Sequence, residues 1–66
     1  MNLKPVQSSR MKQVGWNNNT MYIQFNNGVI YAYENVFYDE YVSLISSSSL
    51  GQALVSFQKL HPYHQV

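Results

Sequence analysis

The sequence predicts an α+β fold: a three-stranded antiparallel β-meander followed by two short α-helices packed on one face of the sheet. Two observations carry this expectation. Before Asn35, short runs of β-branched and aromatic residues alternate with the asparagine-rich turn clusters Asn17-Asn18-Asn19-Thr20 and Asn26-Asn27-Gly28. After Asn35 the apolar period lengthens, with Phe37, Tyr41, Leu44 and Ile45 at i, i+4, i+7 and i+8, as on one face of a helix. At 66 residues the chain has room for one domain, residues 1–66.

The first predicted strand runs from Met11 to Trp16, the second is Met21-Tyr22-Ile23-Gln24-Phe25, and the third is Val29-Ile30-Tyr31-Ala32-Tyr33. Asn27-Gly28 is the strongest short hairpin signal. As a two-residue turn it pairs Phe25 with Ile30, Gln24 with Tyr31, Ile23 with Ala32 and Tyr22 with Tyr33. Directly paired residues share a face. Met21, Ile23, Phe25, Ile30 and Ala32 then line the core side, and extension through the first turn adds Val14 and Trp16 to it. Tyr22, Gln24, Tyr31 and Tyr33 line the opposite side, joined by Met11, Gln13 and Gly15. The outcome is an open face of three tyrosines, a methionine and two amides that a ligand or another subunit should cover.

Asp39 and Glu40 fall near the start of the first helix, where the helix dipole favours negative charge. Ser46-Ser47-Ser48-Ser49 breaks that helix, and Ser49 with Gln52 has the spacing of a capping box for the second. Leu50, Leu54 and Phe57 form the apolar stripe of this second helix, Lys59 suits its C-terminal dipole, and Pro62 ends it.

Composition excludes several classes of function. Four Lys+Arg against three Asp+Glu leave a net charge of +1, and charged residues make up only 11% while aromatics reach 15%. An acidic tail, a disordered segment and a basic polyanion-coating arm do not have this profile. No apolar run reaches the length of a membrane span, and Met1-Asn2-Leu3-Lys4-Pro5 has no secretory h-region, so a cytoplasmic protein with no membrane partner is expected. The absence of cysteine removes disulfides, thiol chemistry and cysteine-based zinc sites. A chain this short hides only about 60% of the surface its unfolded form exposes. Self-association is the remaining way to enlarge the core, and a homo-oligomer is expected.

The Tyr31-Ala32-Tyr33 segment resembles the Y-x-Y signature of the KTSC domain family. Val6-Gln7-Ser8-Ser9, Val14-Gly15-Trp16, the Phe25…Gly28 turn and Ser49-x-Gly51 follow that family's pattern in order, so the resemblance runs from about Val6 to Tyr63. Two segments depart from the pattern. Asn35-Val36-Phe37 replaces the family's Val-Pro lead-in to the first helix, and Ala53-Leu54-Val55 replaces an aromatic-Phe-Asn run. The family occurs alone in bacterial and phage proteins and at the C-terminus of some lysyl-tRNA synthetases. The resemblance implies the small α+β fold and suggests RNA binding.

Chemistry is sparse. Adjacent Asp39 and Glu40 would point about 100° apart on a helix, a poor acid–base pair. No Gly-x-Ser-x-Gly elbow accompanies the serines, and only His61 and His64 could act as a base. No enzyme activity is expected. His61-Pro62-Tyr63-His64 has the right residues for a metal, but Pro62 spoils the helical spacing and no third ligand is evident. A frayed polar terminus is expected there, with no metal and no cofactor. Ser8-Ser9-Arg10 with Lys12 is the best anion-binding candidate, set against the plainer reading of charges that keep a sheet edge soluble.

The function expected from these features is a non-catalytic, oligomeric binding module for a small nucleotide or nucleotide-derived ligand, for which the family resemblance suggests a phage-type protein that sequesters a signal. Its expected site residues are Ser9, Arg10 and Lys12 for phosphate and Tyr22, Tyr31 and Tyr33 for stacking. RNA binding is the alternative, followed by a structural or protein-interaction module whose tyrosine face only builds the oligomer.

Overall fold

The computed structural model describes residues 3–66. Its order is β1 (Lys4–Pro5), β2 (Met11–Asn17), β3 (Thr20–Phe25), β4 (Ile30–Tyr33), α1 (Tyr38–Ile45), α2 (Leu50–Leu60) and β5 (Tyr63–Gln65). The strands form one antiparallel sheet in sequence order, β1-β2-β3-β4-β5. The α+β class, the antiparallel meander and the two helices are therefore as the sequence predicts, but five strands replace three. β5 occupies the stretch expected to fray: Pro62 stops α2, and the extended conformation it favours in His61 (φ −129°, ψ 133°) feeds the chain back alongside β4.

The hairpin registers explain which residues are buried. Asn18 and Asn19 both have positive φ, 50° and 59°, and Asn17 pairs with Thr20, so the β2–β3 connection is a two-residue turn of the primed type. The β3–β4 connection differs from the expectation. Only Gly28 has positive φ (91°); the Gly28 N–H donates to the Phe25 carbonyl, and the Phe25 N–H donates to the Val29 carbonyl, both at 2.9 Å. This is a three-residue Asn26-Asn27-Gly28 loop with glycine in the left-handed position. One extra residue in the loop shifts the pairing by one: Gln24 faces Ile30, Ile23 faces Tyr31, Tyr22 faces Ala32 and Met21 faces Tyr33.

That shift moves every β4 side chain to the other face. Tyr31 and Tyr33 lie on the core side, while Ile30 and Ala32 join Tyr22 and Gln24 on the open side. Met11 changes sides for a separate reason. The ladder slips between Met11 and Gln13, making Lys12 a bulge residue, and Met11 is turned inward to 1% exposure. Val14, Gln13, Gly15 and Trp16 keep their expected faces. The core is built from Met11, Val14, Met21, Ile23, Tyr33 and Val36, sealed by Tyr41 and Leu44 of α1 and by Leu50, Leu54 and Phe57 of α2. Trp16 packs against it and donates its indole N–H to the Val36 carbonyl at 2.8 Å.

The helix starts also differ from expectation. Phe37, read as part of the α1 apolar stripe, is the N-cap residue and is exposed; buried Val36 fills the core instead. Glu40 supplies half a capping box, accepting the Phe37 N–H at 3.0 Å, while the phenyl ring has no acceptor for the other half. The Ser49–Gln52 box does not form, and the Ser49 side chain makes no cap hydrogen bond. The Ser47 hydroxyl accepts the Ser49 N–H at 3.2 Å instead.

Candidate functional site

Ser8, Ser9 and Arg10 lie in the loop between β1 and β2, and two sets of hydrogen bonds hold that loop. The Ser8 hydroxyl accepts the N–H groups of Arg10 (3.2 Å) and Met11 (3.4 Å). From the β3–β4 turn, Asn26 donates its backbone N–H to the Arg10 carbonyl (3.1 Å) and its side-chain amide to the Ser9 carbonyl (2.6 Å). The loop is thereby fixed beside the start of α2. Together they wall a cleft of about 370 Å³, lined by Gln7, Ser8, Ser9 and Arg10 on one side and Ser48, Ser49, Leu50, Gly51, Gln52 and Val55 on the other.

The electrostatics of this cleft favour an anion. Arg10 lies over Gly51, with Cδ and Nε 3.5 Å from the position a Gly51 Cβ would take. Among the described residues no carboxylate lies within ion-pair distance of Arg10, because the two ion pairs join His61 to Glu40 and His64 to Glu34. With no side-chain cap at Ser49, the N–H groups of Leu50, Gly51 and Gln52 begin α2 without intrahelical partners. They carry the positive end of the helix dipole at the same end of α2 that Arg10 packs against. Uncapped N–H groups, serine hydroxyls and a forked cation match the requirements of a phosphate or carboxylate.

The six residues singled out from sequence do not converge. Ser9 and Arg10 line the cleft, whereas Lys12 is on the bulge and is not part of the lining. Tyr22 is half-buried on the open face beside Gln13 and Gln24, whose side-chain amides bond at 2.5 Å. Tyr33 is fully buried and Tyr31 partly so. The two rings belong to an aromatic chain running Phe25–Tyr31–Tyr63–Tyr33–Phe57–His61, with successive centroids 4.4 to 6.1 Å apart. Tyr33 hydroxyl accepts from Gln58 at 3.2 Å, and burial pushes its pKa above the ordinary 10.0 despite that bond. Both rings pack within the domain, and Tyr33, fully buried, offers no open face to a base.

Sequence reasoning missed the α2 half of the cleft and the role of Asn26. Ser49-x-Gly51 was visible as a short motif, but only the fold brings it to Arg10. A second concavity of about 480 Å³ lies between α1 and α2, with Asp39 and Glu40 at its rim and no cation in its lining. Its charge disfavours an anionic ligand. His61, 9% exposed at the end of the aromatic chain, meets Glu40 at 3.0 Å. Among the described residues no three metal-ligating side chains converge, and no helix is long and apolar enough to cross a membrane.

A five-stranded antiparallel sheet backed by two helices, with a small polar cleft at one end of the helical layer, defines a minimal α+β domain. The chain belongs to the KTSC domain family, whose profile matches residues 7–61. The match takes in both walls of the cleft and ends at His61, ahead of β5. No curated protein matches the chain.

Proposed function

We propose that this chain is a non-catalytic binding module for a small phosphate-bearing ligand of the nucleotide class, held in the cleft between Arg10 and the start of α2. The observation that carries the reading is the Arg10 guanidinium, without a carboxylate partner among the described residues and packed against Gly51 in the uncapped first turn of α2. A guanidinium and two or three N–H groups suit one or two phosphates. Buried Tyr33 supplies no base stacking, and Tyr31 is packed between Phe25 and Tyr63. Recognition is therefore assigned to the phosphate end, with Ser9, Gln7 and Gln52 as polar neighbours.

The alternative is RNA, favoured by one observation: Lys4, Arg10 and Lys12, three of the four formal cations, fall on β1, the loop after it and the start of β2. Titration calorimetry separates the two. Inorganic pyrophosphate and nucleoside mono- and diphosphates are expected to bind with shallow salt dependence, and Arg10→Ala should weaken them at least tenfold. Tight RNA binding that falls steeply with salt, with no heat from the small phosphates, would reverse the assignment. Silence from both would leave an interaction module.

A further inference from the structure

The two edges of the sheet are built differently. β1 is two residues long and consists of a lysine and a proline, both devices that stop an edge strand from pairing with another chain. β5 has neither. Its residues Tyr63, His64 and Gln65 are all exposed and include no Asp, Glu, Lys or Arg.

The ladder to β4 fixes which way the β5 backbone faces. The Glu34 N–H donates to the Pro62 carbonyl at 2.8 Å, and the Val66 N–H donates to the Ile30 carbonyl at 2.9 Å. In an antiparallel ladder alternate residues bond to the same neighbour. His64, opposite Ala32, therefore turns its N–H and C=O toward β4, and Tyr63 and Gln65 turn theirs away from the sheet. Exposed apolar groups lie on β5 and close to it in the chain: Leu60 is 73%, Tyr63 47% and Val66 57% exposed. Tyr63 is nonetheless held in place, stacked on buried Tyr33 with centroids 5.1 Å apart.

We infer that β5 pairs with β5 of a second copy of this chain, antiparallel about a two-fold axis at His64. The pattern is self-complementary. Tyr63 would face the second copy's Gln65, and Gln65 its Tyr63, completing four backbone hydrogen bonds and joining two sheets into one. No formal charge on β5 opposes its own copy across the axis. The domain is small and has no cysteine, so shared apolar surface at Leu60, Tyr63 and Val66 adds to a core with little margin. A three-residue strand contact falls below the about 1,000 Å² typical of a stable interface. A reversible, concentration-dependent dimer is therefore expected.

The absence of native cysteine gives a direct test. Across the axis the two His64 positions form a non-hydrogen-bonded pair, whose Cα separation of about 4.5 Å suits a disulfide. Oxidised His64→Cys should become a disulfide-linked dimer, while Ser46→Cys, exposed at the end of α1, should remain mostly monomeric. In light scattering, Gln65→Pro should weaken dimerisation at least tenfold, because it removes an outward N–H that β4 does not use. Its far-UV circular dichroism should match that of the unmodified chain. A chain that stays monomeric at high micromolar concentration would overturn the inference, as would a dimer unaffected by Gln65→Pro. If Gln65→Pro does not fold, equal cross-linking of the two cysteine variants would overturn it instead. Phosphate binding by Arg10 is measured separately, so either reading can fail without the other.

Discussion

The two asparagine-rich turns look alike in sequence and do different work. At Asn18-Asn19 two successive residues accept positive φ, the turn is two residues long, and the Asn19 carbonyl receives the N–H of buried Val36 at 2.9 Å. That turn holds the segment leading into α1 against the core. At Asn26-Asn27-Gly28 only the glycine takes positive φ, the loop is one residue longer, and Asn26 reaches across to Ser9 and Arg10. That turn holds one wall of the cleft. Two clusters of similar composition thus set two registers, and the single residue of difference decides which side of the sheet the β4 tyrosines occupy.

The largest test of this difference is Tyr33→Ala. With Tyr33 fully buried opposite Met21, its truncation is expected to cost ~3–5 kcal/mol in urea unfolding. Tyr22→Ala, on the open face, should cost less than about 2 kcal/mol. A reversed order would restore the two-residue turn and the open tyrosine face. The same burial gives a pH dependence. Below the ordinary value of 10.0 both the folded and unfolded states keep the Tyr33 proton, and its contribution to stability is fully present. Above it the unfolded chain loses the proton first, because burial raises the folded pKa. Stability should therefore fall as pH rises through that folded value. Burial, then the charge of Tyr38, raises Tyr41 in the same direction. Alkaline melts of Tyr33→Phe should be flatter than those of the unmodified chain, and identical curves would contradict this account.

Much of the fold is legible because local signals agree: strand runs, turn clusters and helical stripes fall where the elements form. The register was not legible, because Asn-Gly serves both two- and three-residue turns, and the choice depends on which β4 side chains the core accepts. Here the Tyr33 ring packs against Phe57 of α2 and Tyr63, and the Tyr31 ring between Phe25 and Tyr63. β5 was hidden for a related reason. A three-residue strand has no period to detect, and only its pairing with β4 orders it. In the cleft, Ser9 and Arg10 were visible as residue types, but Gly51 joins them from some forty positions away through tertiary structure alone.

The turn glycine gives the next effect in size. Gly28→Ala meets no atom within 4 Å but forces a Cβ onto φ of +91°. A destabilisation of about 1–2 kcal/mol is expected from backbone strain alone. Asn19→Gly, at the other turn, should stay within about 0.5 kcal/mol of neutral, since glycine takes the same left-handed conformation. Thermal melts of both variants, run together, check the pair. A harmless Gly28→Ala would mean that the longer loop can relax into another turn type, and the observed register would lose its local cause.

Asn26→Ala should cost less stability than Gly28→Ala, and it connects the turn to the cleft. The variant loses the bond from the Asn26 amide to the Ser9 carbonyl, an exposed contact worth ~0.5–1.5 kcal/mol, but keeps the backbone bond to Arg10. The fold should survive with a slightly lower melting temperature. Ser9 and Arg10 would then be held by the Ser8 hydroxyl and one backbone bond, and a guanidinium that must be reordered on binding loses affinity. Calorimetry with pyrophosphate should accordingly show weaker binding for Asn26→Ala and none of that loss for Asn18→Gly, whose side chain makes no hydrogen bond to the cleft loop. Equal losses in both variants would trace the effect to general destabilisation. Unchanged binding in Asn26→Ala, with Arg10→Ala still defective, would leave Arg10 as the ligand contact and remove the turn from the site.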